Sequence, residues 1–230
     1  VPWNDLEAIK AATNEKTVAV MVEPIQGEGG VNMPAPGYLQ GIRDWCDEEG
    51  LLFILDEVQT GIGRTGSLFA YEQEGVEPDI MTLAKGLAGG VPIGAVMARE
   101  DIAAHLVKGD HGSTFGGNAL AAAAGYATVK HVIDEDLSAA ARNASERLVS
   151  RLRSMEDRLA VVNEVRGRGL LIAVQFTRDC ASDVVDACRR RGLLANNVRP
   201  NAVRLMPPLN VSDDEIDRAC DILEEAIVDA

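Results

Sequence analysis

The sequence lacks the features of three large classes of protein. No apolar run approaches the roughly 18 residues that cross a bilayer, so we predict no membrane role. The opening residues, VPWNDLEAIK, have no basic region followed by an apolar one, so no signal peptide is predicted. The net charge is −14, with no basic stripe to neutralise phosphates, which argues against nucleic-acid binding.

Cysteine and lysine are also scarce. The four cysteines, Cys46, Cys180, Cys188 and Cys220, are scattered without CxxC spacing. This pattern predicts reduced thiols in a cytoplasmic protein and argues against a metal site. Arginine outnumbers lysine, and a strongly acidic, lysine-poor surface is what a high-salt cytoplasm favours, although an ordinary acidic enzyme has the same composition.

The first hundred residues alternate between helical and strand patterns. This alternation predicts an α/β fold, with a mainly parallel sheet that carries helices on both faces. Asn4 followed by Glu7 resembles a capping box, so we expect the chain to begin inside a fold. The predicted helices are 4–13, 37–48 and a short one near 67–74, and the predicted strands are 17–22, 51–55, 80–84 and 93–98.

The pattern changes after Asp134, which follows an alanine-rich helix near 118–133. We therefore predict part of a large domain over residues 1–134 and a smaller α+β domain over 135–230. The predicted elements of the smaller domain are helix 137–157, two strands within 161–176, helix 181–191, strand 202–206 and helix 212–228.

Charged residues follow three successive predicted strands. Glu23 ends the first strand, Asp56 and Glu57 end the second, and Lys85 follows the third. Ligands bind at the carboxyl ends of parallel strands, and charged side chains are rarely buried unless they are paired. This edge of the sheet is therefore the predicted functional site.

The segment LLFILDEVQTGIGRTG (51–66) suggests two nucleotide sites, and we favour neither. A strand that ends in two acids resembles the magnesium-binding strand of a phosphate-loop ATPase, but the chain contains no Gly-Lys pair. The glycine pattern of a dinucleotide site is present, but three residues separate it from the strand. Its acidic partner is also misplaced, because Asp79 begins the next strand instead of ending it.

A lysine at a buried strand end favours a different chemistry. Such a lysine can form a Schiff base with an aldehyde cofactor, and a nearby aspartate can keep a pyridine nitrogen protonated, which together indicate pyridoxal 5′-phosphate (PLP). Asp56 must then stay ionised, and pairing with the pyridinium offsets its desolvation. Gln59 is placed to hydrogen-bond the ring's phenolic oxygen. Lys85 lies in AKGLAGG, where glycines permit close backbone approach, and an exposed surface lysine is the alternative.

The stretch HGSTFGGN (111–118) predicts a phosphate-binding element, with a plain turn as the alternative. Ser113 and Thr114 supply hydroxyls, and Gly116 and Gly117 supply accessible backbone amides. A predicted helix N-terminus follows at once, and helix N-termini attract anions.

These segments together resemble one family, the class III or ornithine-type aminotransferases of PLP fold type I. The segments that carry the resemblance are VEPIQGEGGV (22–31), PGYLQGIRDWCDEEGLLFILDEVQTGIGRTG (36–66), PDIMTLAKGLAGGVPIGAV (78–96), HGSTFGGN, VRGRGLL (165–171) and VRLMPPLNV (203–211). They follow one another in the family's order along the whole chain. The family's upstream half has no counterpart here, and Ala119 and LMPPL stand where Pro and Phe are common.

The resemblance implies a role for individual residues. Thr114 is expected to reach the cofactor phosphate of a second copy across a homodimer interface. Glu28 is expected to pair with Arg204, which otherwise binds a substrate carboxylate. The implied catalytic residue is Lys85, the implied cofactor-binding residues are Asp56, Glu57, Val58 (on a ring face), Gln59, Lys85 and Thr114, and the implied substrate residues are Glu28, Ser113 and Arg204. Arg64, Thr65 and Gly66 are then expected to form a structural loop.

The resemblance also implies an activity. The expected reaction is PLP-dependent transfer of the terminal amino group of N-acetylornithine, or of carrier-linked ornithine or lysine, to 2-oxoglutarate in arginine or lysine biosynthesis. The expected partners are the amino donor, 2-oxoglutarate, a second copy of the chain and an amino-group carrier protein. The alternatives are an ornithine or 4-aminobutyrate aminotransferase, and a non-catalytic fragment or partner subunit that keeps the fold.

Overall fold

The computed structural model describes residues 1–230, which divide into two compact units. The first unit contains Val1–Pro24, Pro34–Ile62 and Ser67–Glu135, and the second contains Ile25–Met33, Gly63–Gly66 and Asp136–Ala230. The second unit thus includes two short segments from the first third of the chain. The predicted domains, 1–134 and 135–230, stay a prediction.

The first unit is built on a four-stranded sheet in the order β1-β2-β3-β4. The first three strands are parallel, and β4 runs antiparallel to β3. The mainly parallel sheet is therefore confirmed. Its strands are β1 (Ala19–Val22), β2 (Leu52–Asp56), β3 (Ile80–Leu83) and β4 (Ala95–Ala98), and its helices are α1 (Leu6–Ala12), α2 (Tyr38–Glu49), α3 (Tyr71–Glu74), α4 (Glu100–Ala103) and α5 (Ala119–Asp134).

Strand β2 is apolar up to its last residue, Asp56, because neighbouring strands and α2 cover it. Phe53 and Leu55 are fully buried and pack with Leu39 and Ile42 of α2. Helix α2 ends at Gly50, whose φ of +67° is a left-handed conformation that glycine adopts without steric cost. The sharp stop returns the chain directly into β2.

Asp79 fixes the start of β3 against its neighbours. Its side chain is 4% exposed and accepts a hydrogen bond of 2.7 Å from the backbone N–H of Phe53. Arg43 of α2 and Arg99, which follows β4, donate to its two carboxylate oxygens at 2.9 and 2.8 Å. A buried carboxylate with this many donors is compensated for its lost hydration, so Asp79 sets the position of the strand that leads to Lys85.

The second unit contains an antiparallel sheet in the order β5-β6-β8-β7. Helices cover one of its faces, where Ile172, Val174 and Phe176 join the core. The helix α8 begins with a complete capping box between Ser212 and Glu215. The elements of this unit are α6 (Leu137–Arg158), β5 (Val162–Arg168), β6 (Leu171–Phe176), α7 (Ala181–Arg190), β7 (Asn196–Arg199), β8 (Ala202–Leu205) and α8 (Asp213–Asp229).

Three of these helices and strands differ from the sequence prediction. Strand β7 and the short helix α4 were not predicted, because NNVR and EDIA are too short and too polar to show a hydrophobic period. The helix predicted near 67–74 covers only Tyr71–Glu74, because the Ser67 hydroxyl donates to the Phe69 carbonyl and holds the preceding residues in a turn. No helix of the chain combines the length and the apolar character needed to cross a bilayer.

Candidate active site

Asp56 and Lys85 follow adjacent parallel strands of the first unit. Asp56 is the last residue of β2 and is in register with Thr82 of β3. Lys85 lies three residues beyond Thr82 and opens a single turn of 3-10 helix, Lys85–Ala88. The structure therefore brings the predicted carboxylate and the predicted lysine to the same edge of the sheet.

The backbone of Lys85 is in an uncommon conformation. Its φ is +49°, in the left-handed region that non-glycine residues rarely adopt. Such strain persists only where the surrounding structure enforces it, and it concentrates at functional sites. The exposed side chain of Lys85 is accessible to a ligand.

Asp56 and the residues after it are held in a turn. The Val58 N–H donates to Asp56 Oδ1 at 2.9 Å, which fixes one carboxylate oxygen. The Asp56 side chain is half-buried, and its carboxylate can still accept further hydrogen bonds. Val58 is half-buried, and Gln59 is 8% exposed. A carboxylate, an apolar side chain and an amide therefore follow one another at the strand end, as the cofactor prediction requires.

Glu57 points into the loop that follows β2. It is 1% exposed, accepts a very short hydrogen bond from the Thr60 hydroxyl and accepts another of 2.9 Å from the Tyr71 N–H. Burial raises the pKa of the Glu57 carboxyl, and these donors partly oppose the rise. The contacts that the structure shows for Glu57 are thus with the protein, and its predicted part in cofactor binding stays a prediction.

Thr82 provides a test of whether the strand ends fit a polar ligand. Its hydroxyl is buried and has no hydrogen-bond partner in the protein. Thr82 and Asp56 are in register, so their side chains lie on the same face of the sheet. Buried hydroxyls are normally paired, because an unmade hydrogen bond costs about 1–3 kcal/mol. An unpaired hydroxyl beside Asp56 fits a bound group that carries hydrogen-bonding atoms, as PLP does.

The loop 111–118 presents Ser113 and Thr114 at the surface. Both residues are exposed, and Ser113 Oγ accepts a hydrogen bond of 3.0 Å from the Gly116 N–H. Asn118 caps α5 by accepting from the Ala121 N–H at 3.0 Å. The loop therefore ends at a helix N-terminus with the Thr114 side chain exposed, an arrangement compatible with binding a phosphate from outside the chain.

Glu28 and Arg204 meet in the second unit. Arg204 Nη1 lies 2.8 Å from Glu28 Oε1, and the side chains are 10% and 68% exposed, respectively. The predicted pairing of these two residues is therefore present, while their predicted roles toward substrate stay predictions.

Residues Gly63–Gly66, which belong to the second unit, have structural contacts within that unit. Arg64 Nη1 donates to the carbonyl oxygens of Leu170 at 3.2 Å and Pro207 at 2.5 Å. Burial lowers the pKa of Arg64 to about 10. Gly169 packs so tightly on this segment that an added Cβ would lie 2.5 Å from the backbone of Thr65. These contacts agree with the expected structural loop.

Comparison with known proteins identifies the family. The model of the aminotransferase class-III family matches residues 3–227. The chain belongs to the class-III aminotransferases. This family uses PLP, which agrees with the site at the ends of β2 and β3.

Curated class-III aminotransferases resemble the chain along nearly all of its length. It is 48% identical over 227 residues to the acetylornithine aminotransferase of Caldanaerobacter subterraneus subsp. tengcongensis, covering 99% of this chain and 58% of that protein. It is 49% identical over 228 residues to the acetylornithine aminotransferase of Methanopyrus kandleri, again with 99% and 58% coverage. The chain thus spans less than two thirds of the length of these relatives.

Solved class-III structures have the same fold. The acetylornithine aminotransferase of Elizabethkingia anophelis superposes with a TM-score of 0.93 at 38% identity, covering all of this chain and 59% of that one. The ornithine aminotransferase of Toxoplasma gondii gives a TM-score of 0.94 at 39% identity and covers 56% of that chain. The predicted PLP fold type I is therefore confirmed.

Sequence reasoning missed two residues, Thr82 and Arg166, whose surroundings in the structure are informative. Thr82 is a lone hydroxyl in the apolar strand IMTL, and that contrast was the available signal. Arg166 lies in VRGRGLL, which served only as a family motif, although the structure places its guanidinium on the loop that carries Glu28. No sequence pattern predicts the contact between Arg166 and that loop.

Proposed function

We propose that the chain is the PLP-binding and C-terminal part of an aminotransferase that moves the terminal amino group of N-acetylornithine to 2-oxoglutarate, in arginine biosynthesis. The names and the 48–49% identity of the curated relatives support this substrate. Carrier-linked ornithine or lysine is a related amino donor, and the arginine and lysine pathways share this chemistry. A cytoplasmic location is part of the same proposal.

The observation that carries the proposal is the meeting of Asp56 and Lys85 at one sheet edge. Asp56 ends β2, and Lys85 follows the adjacent parallel strand β3 in a strained left-handed conformation. The unpaired hydroxyl of Thr82 lies between them along the chain and on the face of Asp56. A structural role alone explains neither the strained lysine nor the unsatisfied hydroxyl.

When bound, PLP supplies an aldehyde that takes up the amino group and a ring that accepts electrons from the reacting carbon. Asp56 would hold the proton on the pyridine nitrogen, because an ionised carboxylate favours the charged ring. The Gln59 amide would donate to the phenolic oxygen, and Val58 would pack on a ring face. The Lys85 amine would bind the cofactor and then move the proton at the reacting carbon.

The cofactor phosphate and the substrate carboxylate involve residues in other segments. Thr114 would donate its hydroxyl to the phosphate held by a second copy, so that a homodimer shares its sites. Ser113, in the same exposed loop, would lie near the substrate. Arg204 would bind a substrate carboxylate after Glu28 releases it, since a guanidinium fork matches a carboxylate.

Chemical trapping of the cofactor tests the proposal directly. We expect the chain to show a visible absorbance after addition of PLP, and borohydride reduction followed by peptide mass mapping to place the adduct on Lys85. Lys108 and Lys130 are internal controls, because both are exposed and neither follows a buried strand. An adduct on either control lysine would contradict the assignment. Absence of any adduct would favour a non-catalytic fragment or partner subunit.

Amino donors distinguish the substrate alternatives. We expect an enzyme containing this chain to use N-acetylornithine with 2-oxoglutarate at a kcat/KM well above that for ornithine or 4-aminobutyrate. Ornithine is the serious second candidate, because solved ornithine aminotransferases share the fold at TM-scores of 0.93–0.94. A preference for free ornithine would replace the proposed substrate and leave the reaction class intact. A preference for the carrier-linked donor would implicate an amino-group carrier protein.

A further inference from the structure

We propose that Arg166 is a positioning residue that fixes the backbone of the loop carrying Glu28, so that Glu28 leaves Arg204 by rotation of its side chain above a stationary loop. The loop is Ile25–Met33, called here the Glu28 loop. The proposal deepens the proposed function, because it rests on Glu28 covering Arg204 in one half-reaction.

Arg166 donates hydrogen bonds to backbone carbonyls of the Glu28 loop. Its Nε lies 3.1 Å from the oxygens of both Gly30 and Val31, and its Nη2 lies 2.7 Å from the Gly30 oxygen. Its remaining nitrogen, Nη1, donates to Gln175 at 2.5 Å and to Glu164 at 2.7 Å. The side chain is 13% exposed. Every nitrogen of this guanidinium is therefore committed, and the planar fork ties the loop to β5 and β6.

Other contacts hold the same loop. Arg199 Nε donates to the Gly29 carbonyl at 2.8 Å. Gln26 and Asn32 pair across the base of the loop through backbone hydrogen bonds of 3.1 Å in both directions. The backbone on either side of Glu28 is thus anchored independently of the Glu28 carboxylate.

Val31 shows that the loop conformation is enforced. Its φ is +54°, and a β-branched residue in this region is a genuine outlier. Val31 is fully buried and packs with Ile25, Leu171 and Ala173. A strained conformation persists only where surrounding contacts over-determine it, and the bond from Arg166 to the Val31 carbonyl is one of those contacts.

The Glu28 side chain is exposed to solvent, whereas the loop backbone that carries it is anchored. Its carboxylate end is largely open to water, with the side chain 68% exposed, whereas Arg204 is 10% exposed and fixed in β8. Side-chain rotation at an exposed position occurs in picoseconds to nanoseconds, far faster than rearrangement of a packed loop. The moving part of this ion pair is therefore the Glu28 side chain.

The sheet register links the two arginines. Arg166 of β5 is in register with Ala173 of β6, and Ala173 is in register with Arg204 of β8. Adjacent strands lie about 4.8 Å apart, so the two arginines stand on one face roughly 10 Å from each other. One sheet therefore positions both the covered arginine and the loop that covers it.

Amide hydrogen exchange of the full chain tests this arrangement without requiring activity. In Arg166→Lys we expect the peptide over residues 25–33 to exchange at least about tenfold faster than in the wild type, because the lysine cannot reproduce the fork. In Glu28→Gln we expect exchange of the same peptide to change by less than about twofold, because the backbone anchors remain. Arg153→Lys, at an exposed position of α6 in the same unit, is the matched control and should leave the peptide unchanged.

The reverse pattern would overturn the proposal. If Glu28→Gln accelerates exchange and Arg166→Lys does not, the ion pair itself holds the loop. If Arg166→Lys accelerates exchange equally in peptides from α6 and β6, Arg166 is a general structural residue. Both outcomes can be measured whether or not the chain binds PLP. The exchange experiment therefore tests the role of Arg166 independently of the proposed function.

Half-reaction kinetics on the whole enzyme give a second readout. A loosened loop holds Glu28 less well over Arg204, so Arg166→Lys should shift the ratio of the glutamate and N-acetylornithine rate constants toward glutamate by about three- to tenfold. Equal slowing of both half-reactions would contradict a positioning role. If the wild type catalyses neither half-reaction, the proposed function fails and the exchange result stands by itself.

Discussion

Arg204 Nη1 lies 2.8 Å from Glu28 Oε1 although 176 residues separate the two in sequence. A fixed, uncovered arginine would favour glutamate, whose reacting carbon carries a carboxylate, over a diamine end that carries none. We therefore expect Glu28→Ala to weaken discrimination against glutamate relative to N-acetylornithine by about tenfold, measured as single-turnover rate constants of the two half-reactions.

The matched control for this change is Glu146→Ala, at an exposed position of α6. It removes the same charge from the same unit and should leave the ratio of the two rate constants at the wild-type value. If Glu28→Ala slows both half-reactions by the same factor, the ion pair is a permanent structural contact.

Asp56→Asn tests the charge at the end of β2. The amide keeps the size of the side chain and its ability to accept from the Val58 N–H, but it cannot stabilise a positive ring nitrogen. We expect kcat to fall at least about 100-fold while PLP still binds to Lys85, as seen by absorbance and borohydride trapping. Asp44→Asn, on the exposed side of α2, should keep full activity, and activity retained by Asp56→Asn would remove Asp56 from the ring nitrogen.

Glu57 predicts an unusual pH dependence. Its pKa is raised by burial, so the folded state binds the Glu57 proton more tightly than the unfolded state does. The resulting stabilisation is present below the ordinary value of 4.5 and is lost as pH rises toward the raised pKa. The free energy of unfolding of the wild type, relative to Glu57→Gln, should therefore decrease between pH 4 and pH 7 in chemical denaturation. A difference that stays constant with pH would show that Glu57 has an ordinary pKa.

The fold was predictable wherever a long segment of the sequence had a single hydrophobic pattern, either helical or strand-like. Strands β2 and β3 are apolar except for Asp56 and Thr82, and the sequence therefore indicated a buried parallel sheet correctly. The antiparallel direction of β4 depends on its connection, since the residues between Leu83 and Ala95 are fewer than a parallel crossover requires. The edge strand β7 is short and mostly polar, so only its pairing with β8 defines it.

The candidate site was predictable only in part. The positions of Asp56 and Lys85 follow from where two strands end, and the apolar runs of the sequence predict those strand ends. The left-handed backbone of Lys85 depends on local packing that no residue pattern encodes. The strand IMTL shows a lone threonine, but only the structure shows that its hydroxyl has no partner in the protein. The hydrogen bonds from Arg166 to the Gly30 carbonyl join residues that are 136 positions apart in sequence. Such contacts depend on tertiary structure alone.

Mixed dimers test whether two copies share a site through Thr114. The exposed loop of Thr114 is separated in sequence from Lys85, and a shared site would take one residue from each copy. Lys85→Ala and Thr114→Ala proteins should each be impaired alone. Mixing them should restore up to about a quarter to a half of wild-type activity, since one hybrid site keeps both residues. Confirmed hybrids without any rescue would contradict sharing.

A ladder of arginines and acids joins α6 to α8 in the second unit. Arg147 and Arg151 both donate to Asp217, Arg151 also donates to Asp221 at 2.5 Å, and Arg158 binds Glu224 through two hydrogen bonds. Exposed ion pairs contribute little individually, but a carboxylate shared by two arginines is favoured as part of a network. The hydrogen bond from Arg147 lowers the pKa of Asp217 below its ordinary value of 3.8.

We expect Asp217→Asn to lower the Tm at pH 6, and this difference from the wild type to close as the pH falls below 3.8. The sign follows from the lowered pKa, because the stabilisation is present above the ordinary value and is lost as Asp217 becomes protonated in the folded state. Added salt should also narrow the difference by screening these exposed charges. Glu146→Gln, on the same helix as Arg147, is the control and should show neither dependence. A Tm difference for Asp217→Asn that persists unchanged at pH 3 would mean that side-chain packing, and not charge, accounts for it.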